Sequence, residues 1–70
     1  MTGEEIKKLR RAMGFTQQEF AAKLGVSFAA VNRWERGRNA PQPDRLARIR
    51  ELYAEHLEKE WGSGDARAMR

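Results

Sequence analysis

Six arginines lie between positions 33 and 50 (Arg33, Arg36, Arg38, Arg45, Arg48 and Arg50), with only Glu35 and Asp44 among them. A guanidinium stays charged at any physiological pH, and its planar fork of donors fits a phosphate or the edge of a guanine. The chemistry on offer is therefore polyanion binding. A solvated charged face on any helical protein is the competing reading, and charge alone leaves the two level. The next stretch reverses sign: from Glu51 to Glu60 four glutamates accompany a single lysine. That acidic end suits a basic partner better than a nucleic acid.

Other chemistries lack their residues. The chain has no cysteine, so neither a disulfide nor a thiolate metal site is available. The one histidine, His56, cannot build a zinc cage alone. No serine, histidine and carboxylate constellation offers a nucleophile with its base, so no enzyme, metal or cofactor is expected. Seventy residues and 8.1 kDa allow one small domain. The net charge of +4 and pI near 10.1 are mildly basic overall. No run of about 18 apolar residues suggests a membrane span. The opening Met1-Thr2-Gly3-Glu4-Glu5 lacks the pattern of a signal peptide, which leads us to expect a cytoplasmic protein.

The elements that must carry these residues read as helices. Thr2 with Glu5, and Thr16 with Glu19, have the spacing of capping boxes, in which side chain and backbone N–H satisfy each other reciprocally. Ile6, Leu9 and Met13 come after the first box at helical spacing, and Gly14 ends that helix. Phe15 and Phe20 flank the second box like a hydrophobic staple; Phe20, Ala21 and Leu24 form the apolar face up to Gly25. Ser27 caps a third helix, with Val26 and Val31 repeating the staple and Gly37 as its stop. The second and third helices are thus separated only by Gly25-Val26-Ser27, a helix-turn-helix signature. Pro41 and Pro43 punctuate a loop, and Asp44 is placed to cap a fourth helix. Leu46, Ile49, Tyr53 and Leu57, flanked by Leu52, His56 and Trp61, predict one long helix over 44–61. Gly62-Ser63-Gly64 breaks it. The expected organisation is a domain over 1–61 with the helix-turn-helix at 16–36, then a flexible tail over 62–70. The fold class is all-α: a compact helix-turn-helix domain of four helices, or five, with a long C-terminal helix.

Two stretches are similar to a known family. Gly14-Phe15-Thr16-Gln17-Gln18-Glu19-Phe20-Ala21-Ala22-Lys23-Leu24-Gly25-Val26-Ser27 and Val31-Asn32-Arg33-Trp34-Glu35-Arg36-Gly37-Arg38-Asn39-Ala40-Pro41 resemble the lambda/434 repressor and Cro-type helix-turn-helix family, the xenobiotic-response-element-like regulators. The resemblance spans Glu5 to Ile49. It implies that the third helix enters the DNA major groove. Ala30, Val31 and Trp34 take the core side, so Phe28, Ala29, Asn32 and Arg33 become the base-reading candidates. Arg33 suits guanine O6 and N7, or else a phosphate or a glutamate; Phe28 suits a thymine methyl, or else packs back on Gln17 or Lys23; Asn32 suits either an adenine edge or a phosphate. The resemblance assigns phosphate contacts to Gln17, Arg36, Arg38 and Asn39, which Arg45 can join. Arg10 and Glu35 resemble a family pair that ties the first helix to the end of the third, a structural role.

One departure concerns assembly. Many relatives break before a fifth helix, and here the last helix runs on. Leu52, Tyr53, Leu57 and Trp61 make it too apolar to project into water, so it either packs back on the first helix or pairs with another chain, and these four are the candidates for a homodimer surface. The expected function is sequence-specific binding of double-stranded DNA by a small transcriptional regulator, a repressor, in a prokaryotic nucleoid or from a phage. The alternative is an antitoxin or adaptor whose main partner, a toxin or another protein, binds the acidic end of the last helix.

Overall fold

A computed structural model describes residues 1–59. Four helices succeed one another: α1 (Gly3–Ala12), α2 (Gln17–Leu24), α3 (Phe28–Glu35) and α4 (Pro43–Leu57). The described residues contain no strand. Both capping boxes form, with Thr2 and Thr16 oxygens accepting from the Glu5 and Glu19 N–H groups, and each glutamate accepting from the cap residue's own N–H. The Phe15 and Phe20 rings sit 6.3 Å apart, closing the staple. Replacing Thr16 with alanine orphans the Glu19 N–H and should lower the unfolding free energy by about 1 kcal/mol, read from a urea midpoint. An unchanged midpoint would mean that α2 does not depend on its cap.

The turn between α2 and α3 needs Gly25 at φ 71°, a left-handed conformation that a Cβ disfavours. Its N–H returns to the Ala21 and Ala22 carbonyls, and Ser27 then caps α3 by accepting from the Ala30 N–H. Three residues therefore reverse the chain and lay α3 against α2. These two helices form the most extensive contact, with α1 packed on α3 and α4 on α2.

Ile6, Phe20, Ala21, Leu24, Val31, Trp34, Ile49 and Leu52 form the core, with Leu9, Met13, Phe15, Val26, Ala30 and Leu46 packed around it. Ala21 is buried at the crossing, as its small side chain requires. Pro41 is also buried; with Ile6 and Trp34 it lines a cleft that folds the α3–α4 loop over the start of α1.

Two expectations about α4 need correction. Asp44 does not cap it. The helix begins at Pro43, its N-cap is Gln42 without a side-chain bond, and Asp44 lies inside the first turn. Proline suits the first helical position because its fixed φ is already helical and its missing N–H would have had no helical partner. The buried line also differs. Ile49 and Leu52 are interior, Tyr53 is half-buried, and Leu57 is 40% exposed. Leu52 turns inward beside Met13 and Phe15, over the junction of α1 and α2, which leaves Tyr53 at the groove between α1 and α4. Beyond Leu57 the helix continues through Glu58 and Lys59 as a wider turn. The expected helix end at Trp61 and the tail over 62–70 lie outside the described residues.

Candidate nucleic-acid interface

Val31 and Trp34, three residues apart, anchor α3 to the core. The helical period then turns Phe28, Ala29, Asn32, Arg33 and Arg36 away from it. Phe28, Ala29, Arg33 and Arg36 are exposed and Asn32 is half-buried. Phe28 leaves half its surface in solvent at the first position of the helix. That position leaves the ring free to make an apolar contact such as one with a thymine methyl.

The arginines divide by partner. Among the described residues Arg33, Arg36 and Arg38 make no ion pair, so their charge faces outward undiminished. Arg38 and Asn39 are exposed just past the end of α3. Arg45 touches Asp44 at 3.1 Å, an exposed pair of the kind that contributes little and exchanges readily for another anion. Arg48 is occupied by Glu51 and Glu55 on its own helix, while Arg50 borders the groove between α1 and α4. Tyr53 lines the same groove and Leu57 lies one turn further along α4, so the assembly candidates occupy α4 and the base-reading candidates occupy α3.

Behind the outward face runs a polar network. Arg10 Nε donates to Glu35 Oε2 at 2.6 Å and its Nη2 to Oε1 at 3.0 Å, and the two side chains are only 9% and 4% exposed. Arg10 Nη1 also donates to the Phe15 carbonyl. Burial pushes the Glu35 carboxyl up, but hydrogen bonds from Arg10 and Gln17 and the charges of Arg10 and Lys7 prevail, holding it below the ordinary 4.5. Gln17 therefore does more than the phosphate contact suggested by its place at the start of α2: its Nε2 donates to Glu35 at 2.9 Å and its Oε1 accepts from Asn32 at 3.3 Å. One Nε2–H remains for a phosphate. The sequence signals the Arg10–Glu35 pair, yet nothing in it shows that Gln17 and Asn32 complete the network, since contact across three helices depends on their crossing.

The arrangement is a positively charged face built on exposed side chains of α3 and the residues just past its end. Among the described residues no group of three or more histidine, cysteine or carboxylate side chains could hold a metal. A helix with exposed donors and an exposed apolar residue at its start can enter a groove and hydrogen-bond its floor. A family model described as helix-turn-helix matches residues 6–59. The chain belongs to this helix-turn-helix family, the Cro and lambda/434 repressor type. It is a family of DNA-binding domains rather than enzymes.

The helix-turn-helix chain is 37% identical over 57 residues to an HTH-type transcriptional regulatory protein of Pyrococcus furiosus, covering 81% of this chain and 18% of that one. It is 35% identical over 52 residues to a transcriptional regulator in the ATPase CF(0) region of Rhodospirillum rubrum, covering 74% and 48%. It is 33% identical over 51 residues to the HTH-type transcriptional regulator ImmR of Bacillus subtilis, covering 73% and 40%. The chain thus spans less than half the length of each of these relatives. No solved structure matches it. No helix of the described residues is long and apolar enough to cross a membrane.

Proposed function

We propose that this helix-turn-helix chain is a sequence-specific DNA-binding transcriptional regulator that seats α3 in the major groove and acts as a repressor by occupying its operator. The observation that carries the reading is the outward face of α3, where Arg33 is exposed without an acidic partner among the described residues. Arg33 lies in the second turn of α3, where a side chain reaches base edges, and offers its fork to guanine O6 and N7. Phe28 packs on a thymine methyl, and Ala29 brings the helix close to the groove floor. Arg36, Arg38 and Asn39 at the end of α3, with Gln17 and Arg45, grip the phosphates and fix the register. The protein works as a homodimer through α4, by half-buried Tyr53 and exposed Leu57, with Trp61 beyond the described residues. The two recognition helices are then about 34 Å apart, one DNA turn.

Selection of bound sequences from a random DNA pool tests this. Two inverted half-sites about 10 base pairs apart are expected; a single half-site overturns the dimer. Arg33→Ala should weaken the preferred site about tenfold and relax one base pair per half-site. Arg38→Ala should weaken preferred and scrambled DNA alike and lower the slope of log affinity against log salt by about one. Equal losses on both DNAs for Arg33→Ala would demote that residue to a phosphate clamp. Absence of salt-dependent DNA binding by the wild type would transfer the function to a protein partner.

A further inference from the structure

Side chains from three helices form an unbroken hydrogen-bonded chain that ends on α3. It runs from Arg10 to Glu35, from Glu35 to Gln17 and from Gln17 to Asn32. Its polarity has one solution. Arginine only donates, and an ionised carboxylate only accepts. Gln17 must therefore turn its amino group to Glu35, which leaves its carbonyl oxygen facing Asn32. Asn32 must answer with its own amino group. Its other atom, Oδ1, has no hydrogen-bond partner among the described residues. Asn32 is half-buried, directly before Arg33 on the face that the functional reading assigns to the groove.

We propose that Asn32 is a specificity-determining residue that reads an exocyclic amino group in the major groove, adenine N6 or cytosine N4, because the Arg10–Glu35–Gln17 chain holds its amide with the acceptor outward. This rests on the seating of α3 proposed above. The free edge of Asn32 presents Oδ1 beside one remaining Nδ2–H; a phosphate oxygen, guanine O6 or thymine O4 can engage only that N–H and leaves Oδ1 unpaired, whereas an exocyclic amino group satisfies Oδ1. A freely rotating asparagine would make no such distinction. The second Nδ2–H of Asn32 can reach adenine N7 beside N6, so adenine ranks above cytosine. Gln17 is then a positioning residue. Residue types alone leave Asn32 open between base and phosphate, and the acceptor held free on the fixed amide favours the base.

The test uses the full chain with the same random-pool selection, applied to wild type, Asn32→Ala and Gln17→Met, each checked for folding by thermal melt. The wild type should restrict one position per half-site to adenine or cytosine by about tenfold. Asn32→Ala should randomise that position and leave the base pair read by Arg33 unchanged. Gln17→Met should still bind but admit guanine or thymine there, with discrimination below about threefold. A purine lacking the 6-amino group, placed at the selected adenine, should cost the wild type about tenfold and Asn32→Ala nothing; this arm decides the matter even if Gln17→Met does not fold. Uniform weakening of all sequences by Asn32→Ala, or undiminished discrimination in a folded Gln17→Met, overturns the inference while leaving the functional reading intact. A wild type that binds no DNA overturns both.

Discussion

Replacing Glu35 with alanine should lower the unfolding free energy at neutral pH by about 3–5 kcal/mol, several times the roughly 0.5 kcal/mol of an ordinary surface substitution. The reason is the charge left behind. Arg10 is buried and keeps only the Phe15 carbonyl as a partner, while the Gln17 amino group loses its acceptor. The pair itself contributes far less than its loss costs, because taking both charges from water offsets most of their attraction. Replacing both residues with apolar ones of similar volume should therefore recover much of the stability.

Acid should reproduce part of the same loss. The Glu35 carboxyl is held below its ordinary 4.5 in the folded protein. A lowered folded value stabilises above the unfolded value, and that contribution disappears as pH falls through the folded one. The gap in stability between wild type and Glu35→Ala should thus be full at neutral pH and narrow below about 4.5. Glu5 is also lowered, first by accepting from the Thr2 N–H, but it is present in both proteins and cancels in the difference. Chemical denaturation at a series of pH values measures this. A gap independent of pH, or no gap at all, would show that the pair does not hold α1 to α3.

The second large effect is expected at a residue with no functional group. Gly3→Ala should destabilise the domain by about 3 kcal/mol. On helix propensity alone the change is not unfavourable: alanine exceeds glycine by about 1 kcal/mol in a helix interior, and by less at the first helical position that Gly3 holds. Here a Cβ would lie 2.5 Å from the Trp34 carbonyl oxygen and 2.8 Å from that of Glu35. Both are backbone atoms at the end of α3, so no side chain can rotate away. The start of α1 must lift from α3, straining the helix that bears the Arg10 anchor. Urea denaturation of Gly3→Ala beside Lys8→Ala, an exposed change on the same helix, separates this clash from propensity. A Gly3→Ala protein as stable as the wild type would mean that the two helices are less closely apposed.

Local pattern alone determined most of the framework. The capping boxes at Thr2 and Thr16, the cap at Ser27 and the turn at Gly25 act through neighbours three or four residues away, so their spacing is visible in the chain. The inward set of α3, Val31 and Trp34, is dictated by helical period, and with it the outward set that includes Arg33. Tertiary structure decided the rest, because those contacts join residues that no period relates. Pro43 rather than Asp44 opens α4, since the loop anchored by buried Pro41 delivers proline to the first helical position. Leu52 rather than Leu57 meets the core, because the junction of α1 and α2 accepts one turn of α4 and not the next. The close approach at Gly3 and the bonds from Glu35 through Gln17 to Asn32 exist only where α1, α2 and α3 cross. Sequence spacing shows that these side chains can bond; the crossing of the helices determines which of them meet and which atom each presents outward.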